Sequence, residues 1–490
     1  VDNISIETGV TSSSGGVLSV PRKVMLPVIV GHVDQIVTGS SHTCALNTVQ
    51  DVYCWGYNGE EDKMVLGNTS TTDTNSSTAL KVDLTGSGSQ YASDWSGRDI
   101  SGVSAGDETT CVIFSTNTEV GCWGTDTNLL GNTTSDSDGT RADISTGRHT
   151  SISVGTEHAC AIVESALSCW GTETSGEIGD GGTSSDGSGS PTQVTSVTGY
   201  AALEVEVGED HTCAVYKSLI TDGRRIICWG ESDDGRLGNS SISVDLLGPE
   251  TPPKVVGGSS DSHVIPPNSS AEVQRPYFRP VEITGGNQFY CARSIQGLVK
   301  CWGYNGYGNL GLGNTTEQGS SSNQMGANLA FVDLGANVTA KQIVSGSQHS
   351  CALTNDGDVK CWGGNWHYQL GLGNTTNIGN TPNQMGAYLT TTTPSDGSWS
   401  GNVIKLSAGN SHTCALIDNG DVYCWGSGYQ GNLASGNTAS NIRPSLAYFG
   451  DYGAVNIDSG YSNTCVILEN GAAKCWGYNG YKQLGIGNTT

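Results

Sequence analysis

The triplet Cys-Trp-Gly recurs eight times in this chain, each time a near-constant step after another cysteine. The upstream cysteines are Cys44, Cys111, Cys160, Cys213, Cys291, Cys351, Cys414 and Cys465. Their partners are Cys54, Cys122, Cys169, Cys228, Cys301, Cys361, Cys424 and Cys475. These sixteen are all the cysteines of the 490 residues, so none is left over. A period of this kind marks one supersecondary unit copied along an array, and it outranks any local motif.

In the seventh copy two apolar runs flank Asp418-Asn419-Gly420, a hairpin signal with a glycine available for positive φ. Cys414 and Cys424 are equidistant from Asn419, so a three-residue loop sets them opposite one another, within reach of a disulfide. Five copies separate their cysteines by ten positions and the others by eleven, nine and fifteen, as hairpins with longer or shorter tips would. Zinc is the rival reading, because His42, His158, His211, His349 and His412 each stand two positions before an upstream cysteine. Three copies lack that histidine, and a metal site needs defined ligand spacing, so the weight falls on disulfides. The histidines then read as hydrogen-bonded ties between strands.

After Trp-Gly most copies show a turn and a Leu-Gly-x-Gly-Asn-Thr stretch, as at 310–315. A further apolar strand is expected at 330–334, followed by an extended run at 341–346. About four short strands per copy make the chain all-β.

Three stretches carry a resemblance. They are Ala-Gly-Asn-Ser-His-Thr-Cys-Ala-Leu at 408–416, Gly-Asp-Val-Tyr-Cys-Trp-Gly at 420–426 and Gln-Leu-Gly-Ile-Gly-Asn-Thr at 483–489. They resemble the regulator-of-chromosome-condensation repeat family, whose other branch is the β-lactamase-inhibitor protein II group. The resemblance extends from about residue 24 to 490 and implies a β-propeller with one four-stranded blade per copy, in which the cysteine spacing places one intra-blade disulfide. Eight copies exceed the seven blades usual in that family, so the expectation is a propeller of about eight blades, with seven as the alternative. The paired cysteines depart from the nuclear members. Secreted, cysteine-paired versions of the repeat are similar to components of algal flagellar hairs, the mastigonemes.

The last copy lacks the apolar strand that follows elsewhere, and residues 24–30 form a strand without an owner. The expectation is a single propeller over 21–490, with strand 24–30 completing the last blade and closing the ring. Residues 1–20 are then an N-terminal arm, with Ile4, Ile6 and Val10 as its apolar positions, able to add a strand to a neighbouring copy.

Net charge is −25, from 22 Lys+Arg against 47 Asp+Glu, which repels nucleic-acid backbones and anionic membranes. No apolar stretch is long enough to span a bilayer. Disulfides require an oxidising compartment, and a start at Val1 fits a processed secreted protein; an extracellular or cell-surface location is expected. Ten Asn-x-Ser/Thr sequons occur. Asn68, Asn132, Asn239, Asn314, Asn374 and Asn488 share one place in the repeat, while Asn3, Asn75, Asn268 and Asn337 do not. Their recurrence points to covalent N-linked glycans, although Gly-Asn-Thr is also a turn motif.

No nucleophile, base and orienting group are legible together, and paired cysteines leave no thiolate. Asp356 to Asp358 read as a hairpin tip, not a calcium loop. The sequence therefore gives no reason to expect a catalytic site, a metal or a cofactor. Tyr57, Tyr304, Tyr307, Trp366, Tyr478 and Tyr481 follow the Trp-Gly steps; they pack blades or form an interface or sugar-binding rim. The first expectation for function is an extracellular glycosylated structural protein that self-assembles into filaments. The alternative is a secreted protein- or glycan-binding module or enzyme inhibitor. An exchange factor of the nuclear type is opposed by charge, cysteines and sequons together.

Overall fold

The structure is a computed structural model. The residues it describes are 17–23, 32–59, 65–67, 75–82, 98–115, 120–124, 140–142, 149–163, 165–172, 176–179, 188–194, 199–208, 210–220, 224–231, 237 and 278–486, the last without 322–323, 326–327, 430 and 451. Among them are eight antiparallel sheets, one per cysteine pair, numbered here as blades 1 to 8 from Cys44–Cys54 to Cys465–Cys475. The strands of blade 7 are Val403–Ala408, His412–Ile417, Val422–Gly426 and Asn441–Ala447, each paired with the one before it.

The cysteines occupy directly opposed positions of the second and third strands, as Cys414 and Cys424 do. Their Cα atoms are 4.1–4.2 Å apart in all eight blades, the close approach of a non-hydrogen-bonded antiparallel pair, and every pair is bridged.

The Cys-Trp-Gly triplet is also the stacking device. Successive side chains of a strand leave on opposite faces, so cysteine and tryptophan point to different neighbours. The Cys351–Cys361 bridge of blade 6 packs in one cluster with Trp425 of blade 7. The Cys44–Cys54 bridge likewise shares a cluster with Trp123 of blade 2, and Cys465–Cys475 of blade 8 with Trp55 of blade 1. The apolar core is thus eight clusters, one at each blade boundary, and the cluster joining blades 8 and 1 closes the ring. Each buried indole can also reach back: Trp425 Nε1 donates to Gln369 O at 2.9 Å and Trp55 Nε1 to Gln483 O at 2.8 Å. The glycine of the triplet is required by backbone geometry. Gly426 has φ +106°, and a Cβ there would lie 2.6 Å from Ser411 O.

Two expectations are corrected. The strand that completes blade 8 is Val17–Lys23, paired antiparallel with Ala473–Tyr478; residues 24–31 lie outside the described residues. Pro21 sits where the register shifts between Leu18 and Arg22, a place on an outer strand where its missing N–H costs no ladder bond. Secondly, blades 4 and 5 have three strands among the described residues. Residues 330–334 of blade 5 do not form a strand. Val332 N still bonds Val299 O at 2.9 Å, but Asp333 turns the chain, with its Oδ1 accepting from Gly335 N and its carbonyl from Gly386 N in blade 6.

Candidate functional site

The second and third strands pair His412 with Gly426, so the turn before the one and the loop after the other lie at the same end of the blade. That end of the ring, the loop face, carries the features with binding chemistry.

At its centre every blade contributes one glycine: Gly39, Gly106, Gly155, Gly208, Gly286, Gly346, Gly409 and Gly460 line the mouth of a cavity of about 330 Å³ on the ring axis. A Cβ on Gly409 would lie 2.2 Å from His412 Cε1 and 2.5 Å from Gly460 O of the next blade. Only glycine lets neighbouring turns approach so closely.

Behind this ring runs a belt of histidines. His42, His158, His349 and His412 are fully buried, and each Nε2 meets the threonine hydroxyl of the next blade: Thr110 at 2.6 Å, Thr212 at 2.7 Å, Thr413 at 2.8 Å and Thr464 at 2.9 Å. Burial holds these imidazoles well below their ordinary value, at about 4 for His42 and His412 and about 3 for His158 and His349. In blade 8 Asn463 takes the histidine's place and reaches Thr43 of blade 1 at 3.5 Å. His211 meets the ring of Tyr290 edge-on, centroids 4.8 Å apart. The zinc alternative fails on this geometry: both sulfurs of each pair are consumed by the bridge, and the histidine is turned to the next blade.

Inner strands are tied by side chains that imitate a ladder. Gln35 donates to Val103 O and accepts from Val103 N, and Gln342 does the same with Leu406, each pair crossing a blade boundary. Asp458 of blade 8 accepts from Thr38 N and Oγ1 of blade 1. Burial pushes Glu206 up to about 8, with the nearby Glu204 carboxylate adding to it, and pushes Glu204 itself up to about 7. Among the described residues no three His, Cys, Asp or Glu side chains converge as a metal site.

The aromatic residues that the sequence singles out form two clusters, each crossing a boundary. Tyr304, Tyr307 and Trp366 link blades 5 and 6, with Tyr307 and Trp366 edge-on at 4.2 Å. Tyr478, Tyr481 and Tyr57 link blades 8 and 1, with Tyr481 and Tyr57 at 5.3 Å. Beside the first cluster, between blades 6 and 7, opens a second cavity of about 240 Å³. Nothing in the sequence signals it, because its walls come from segments some forty residues apart.

The sequons divide. Asn3, Asn68, Asn132, Asn239, Asn268 and Asn488 lie outside the described residues. Asn314, Asn337 and Asn374 are exposed, and Asn75 is half-buried. Asn314 Oδ1 accepts from Thr316 N at 2.8 Å and Asn374 Oδ1 from Thr376 N at 2.9 Å, so each side chain closes its own turn. Asn437 of blade 7 makes the same bond to Ala439 N at 2.8 Å although no sequon exists there. The turn alone therefore accounts for the asparagine.

Residues 33–60, 340–369, 403–432 and 454–483 match the model of the regulator of chromosome condensation (RCC1) repeat, and 356–416 match a second model of that repeat. The ultraviolet-B receptor UVR8 of Arabidopsis thaliana is 27% identical over 339 residues, 69% of this chain and 67% of that protein. The human probable E3 ubiquitin-protein ligase HERC4 is 30% identical over 213 residues, which span only 18% of the ligase. Among solved structures, human WBSCR16 aligns over 90% of this chain and 99% of its own, with 16% identity and a TM-score of 0.57. Prp20p from Saccharomyces cerevisiae aligns over 91% and 82%, with 18% identity and a TM-score of 0.51. The chain is an RCC1-like β-propeller. Within that class it is a variant carrying one disulfide in each of eight repeats, which suits an oxidising environment. No helix among the described residues is long and apolar enough to cross a membrane.

Proposed function

We propose that the protein is an extracellular, glycosylated structural propeller that assembles with itself into filaments of the kind that build surface hairs. The observation that carries this reading is the outer strand of blade 7. Asn441–Ala447 is last in its sheet, and Ile442, Leu446 and the adjoining Tyr448 are 48%, 46% and 68% exposed. Ile442 O already accepts from Gly373 N, and Pro444 has no N–H. The part of this edge that can template an added strand is therefore the C-terminal part around Leu446, beside the apolar stripe. Ile4, Ile6 and Val10 give the N-terminal segment the alternation to supply it from a second copy. Such a head-to-tail contact does not close on itself, so it propagates.

Because Val17–Lys23 completes blade 8, the segment to remove in a test is 1–16, not 1–20. The truncated protein should fold and stay monodisperse by electron microscopy, and Leu446→Lys in the intact chain should do the same. Filaments formed by both variants would refute the reading. A second reading, a secreted binding module or inhibitor, is supported by the aromatic clusters and the cavity beside Trp366.

A further inference from the structure

The cavity between blades 6 and 7 is lined by Ser347, Gln348, Trp366, His367, Gln369, Asn410 and Ser411. Not one of these is an acidic residue, a lysine or an arginine, in a chain of net charge −25. Among the described residues the side chains of Ser347, Gln348, Asn410 and Ser411 make no hydrogen bond, so two amides and two hydroxyls are left to a ligand. Trp366 is 45% exposed, and its indole is held edge-on by Tyr307. The loop beneath is preorganised. Gln369 Oε1 accepts from His367 N at 2.8 Å, and Gln369 O accepts from both Thr413 Oγ1 and Trp425 Nε1 of blade 7.

We propose that this cavity is a binding site for one neutral sugar unit of an oligosaccharide. An aromatic plate beside free amides and hydroxyls complements a ring with an apolar C–H face and a hydroxylated edge. A phosphate, sulfate or carboxylate finds no lysine or arginine here, and a purely apolar ligand leaves four polar groups unpaired on burial. The volume of about 240 Å³ falls below the roughly 300–1,000 Å³ of sites for larger ligands, as befits a single ring. The site does not rest on filament assembly, since its walls come from one chain.

The test is the full-length protein on an array of neutral, sialylated and sulfated oligosaccharides, followed by calorimetric titration with the best neutral oligosaccharide. Retention of neutral oligosaccharides is expected. Trp366→Ala should weaken that titration at least about tenfold and Trp366→Phe much less, with only a small fall in the thermal unfolding midpoint because the indole is 45% exposed and its packing partner is Tyr307. Should Trp366→Ala unfold, Gln348→Ala carries the same test, with a loss of about threefold to tenfold expected. No neutral oligosaccharide retained, or equal affinity in these variants and the parent, overturns the proposal.

Discussion

His349 Nε2 lies 2.8 Å from Thr413 Oγ1, and that hydroxyl lies 3.2 Å from Gln369 O. The carbonyl can only accept, so the threonine donates to it and must accept from the imidazole, which fixes the Nε2–H tautomer. One hydroxyl of blade 7 thus binds two groups of blade 6. Thr212 is placed alike between His158 and Glu177 O. Between blades 2 and 3 both halves change together, with Thr109 at the histidine position and Ala159 at the threonine position, whereas His211 faces Tyr290 and Asn463 faces Thr43, one half changed in each.

Thr413→Val should destabilise the protein by about 1–3 kcal/mol, because it strands a buried donor and a buried acceptor at equal volume. Thr413→Ser should recover most of that loss, since Ser350 already occupies the equivalent place in blade 6. Denaturant unfolding of both variants checks the difference.

Stability should peak near pH 6.5 and fall on both sides. Four buried histidines have folded values of about 3 to 4 against 6.5 unfolded, so their contribution is whole above pH 6.5 and is lost as pH falls through 4 to 3. Glu204 and Glu206 are raised from 4.5 to about 7 and 8, so theirs is whole below pH 4.5 and is lost as pH rises through 7 to 8. Burial also raises Glu282 and Asp458, which oppose the histidines together with Glu204 and Glu206, so the acid limb is shallower than the four histidines alone would give. Thermal unfolding across pH 3–9 checks the curve, and Glu206→Gln should flatten its alkaline limb.

The Cys414–Cys424 bridge is buried among Leu416, Leu433 and Trp476. Native protein should therefore resist reductant that attacks it readily once unfolded. Replacing both cysteines by alanine should cost about 2–4 kcal/mol, combining loss of the cross-link with a small cavity. Thiol labelling with and without denaturant tests the first point and unfolding tests the second.

Gly409→Ala should disrupt the ring, since its Cβ meets the Gly460 carbonyl at 2.5 Å, whereas Gly436→Ala has nothing within 4 Å and bears only the strain of φ +78°. The second should cost about 1 kcal/mol and the first well over that. Comparing their unfolding midpoints separates close approach from backbone strain.

The pairing of the cysteines is legible in the sequence because two residues placed symmetrically about a turn must face each other. The blade count follows from the same repeat. The partner of each histidine is not legible, for it lies 68 residues away between His42 and Thr110 and only stacking brings them together. The closing strand Val17–Lys23 is obscured by Pro21, which reads as a breaker until the register shift beside it is seen, while the apolar run at 24–30 draws attention away. The cavity beside Trp366 needs two blades to exist, so one repeat read alone cannot reveal it.

The central claim, self-assembly by strand addition, is tested most directly by cryo-electron microscopy of the intact protein at high concentration. The account predicts filaments of stacked toroids with an additional strand from a neighbouring copy along Asn441–Ala447 of blade 7. Monodisperse toroids with that edge bare, or filaments joined through another surface, would contradict it.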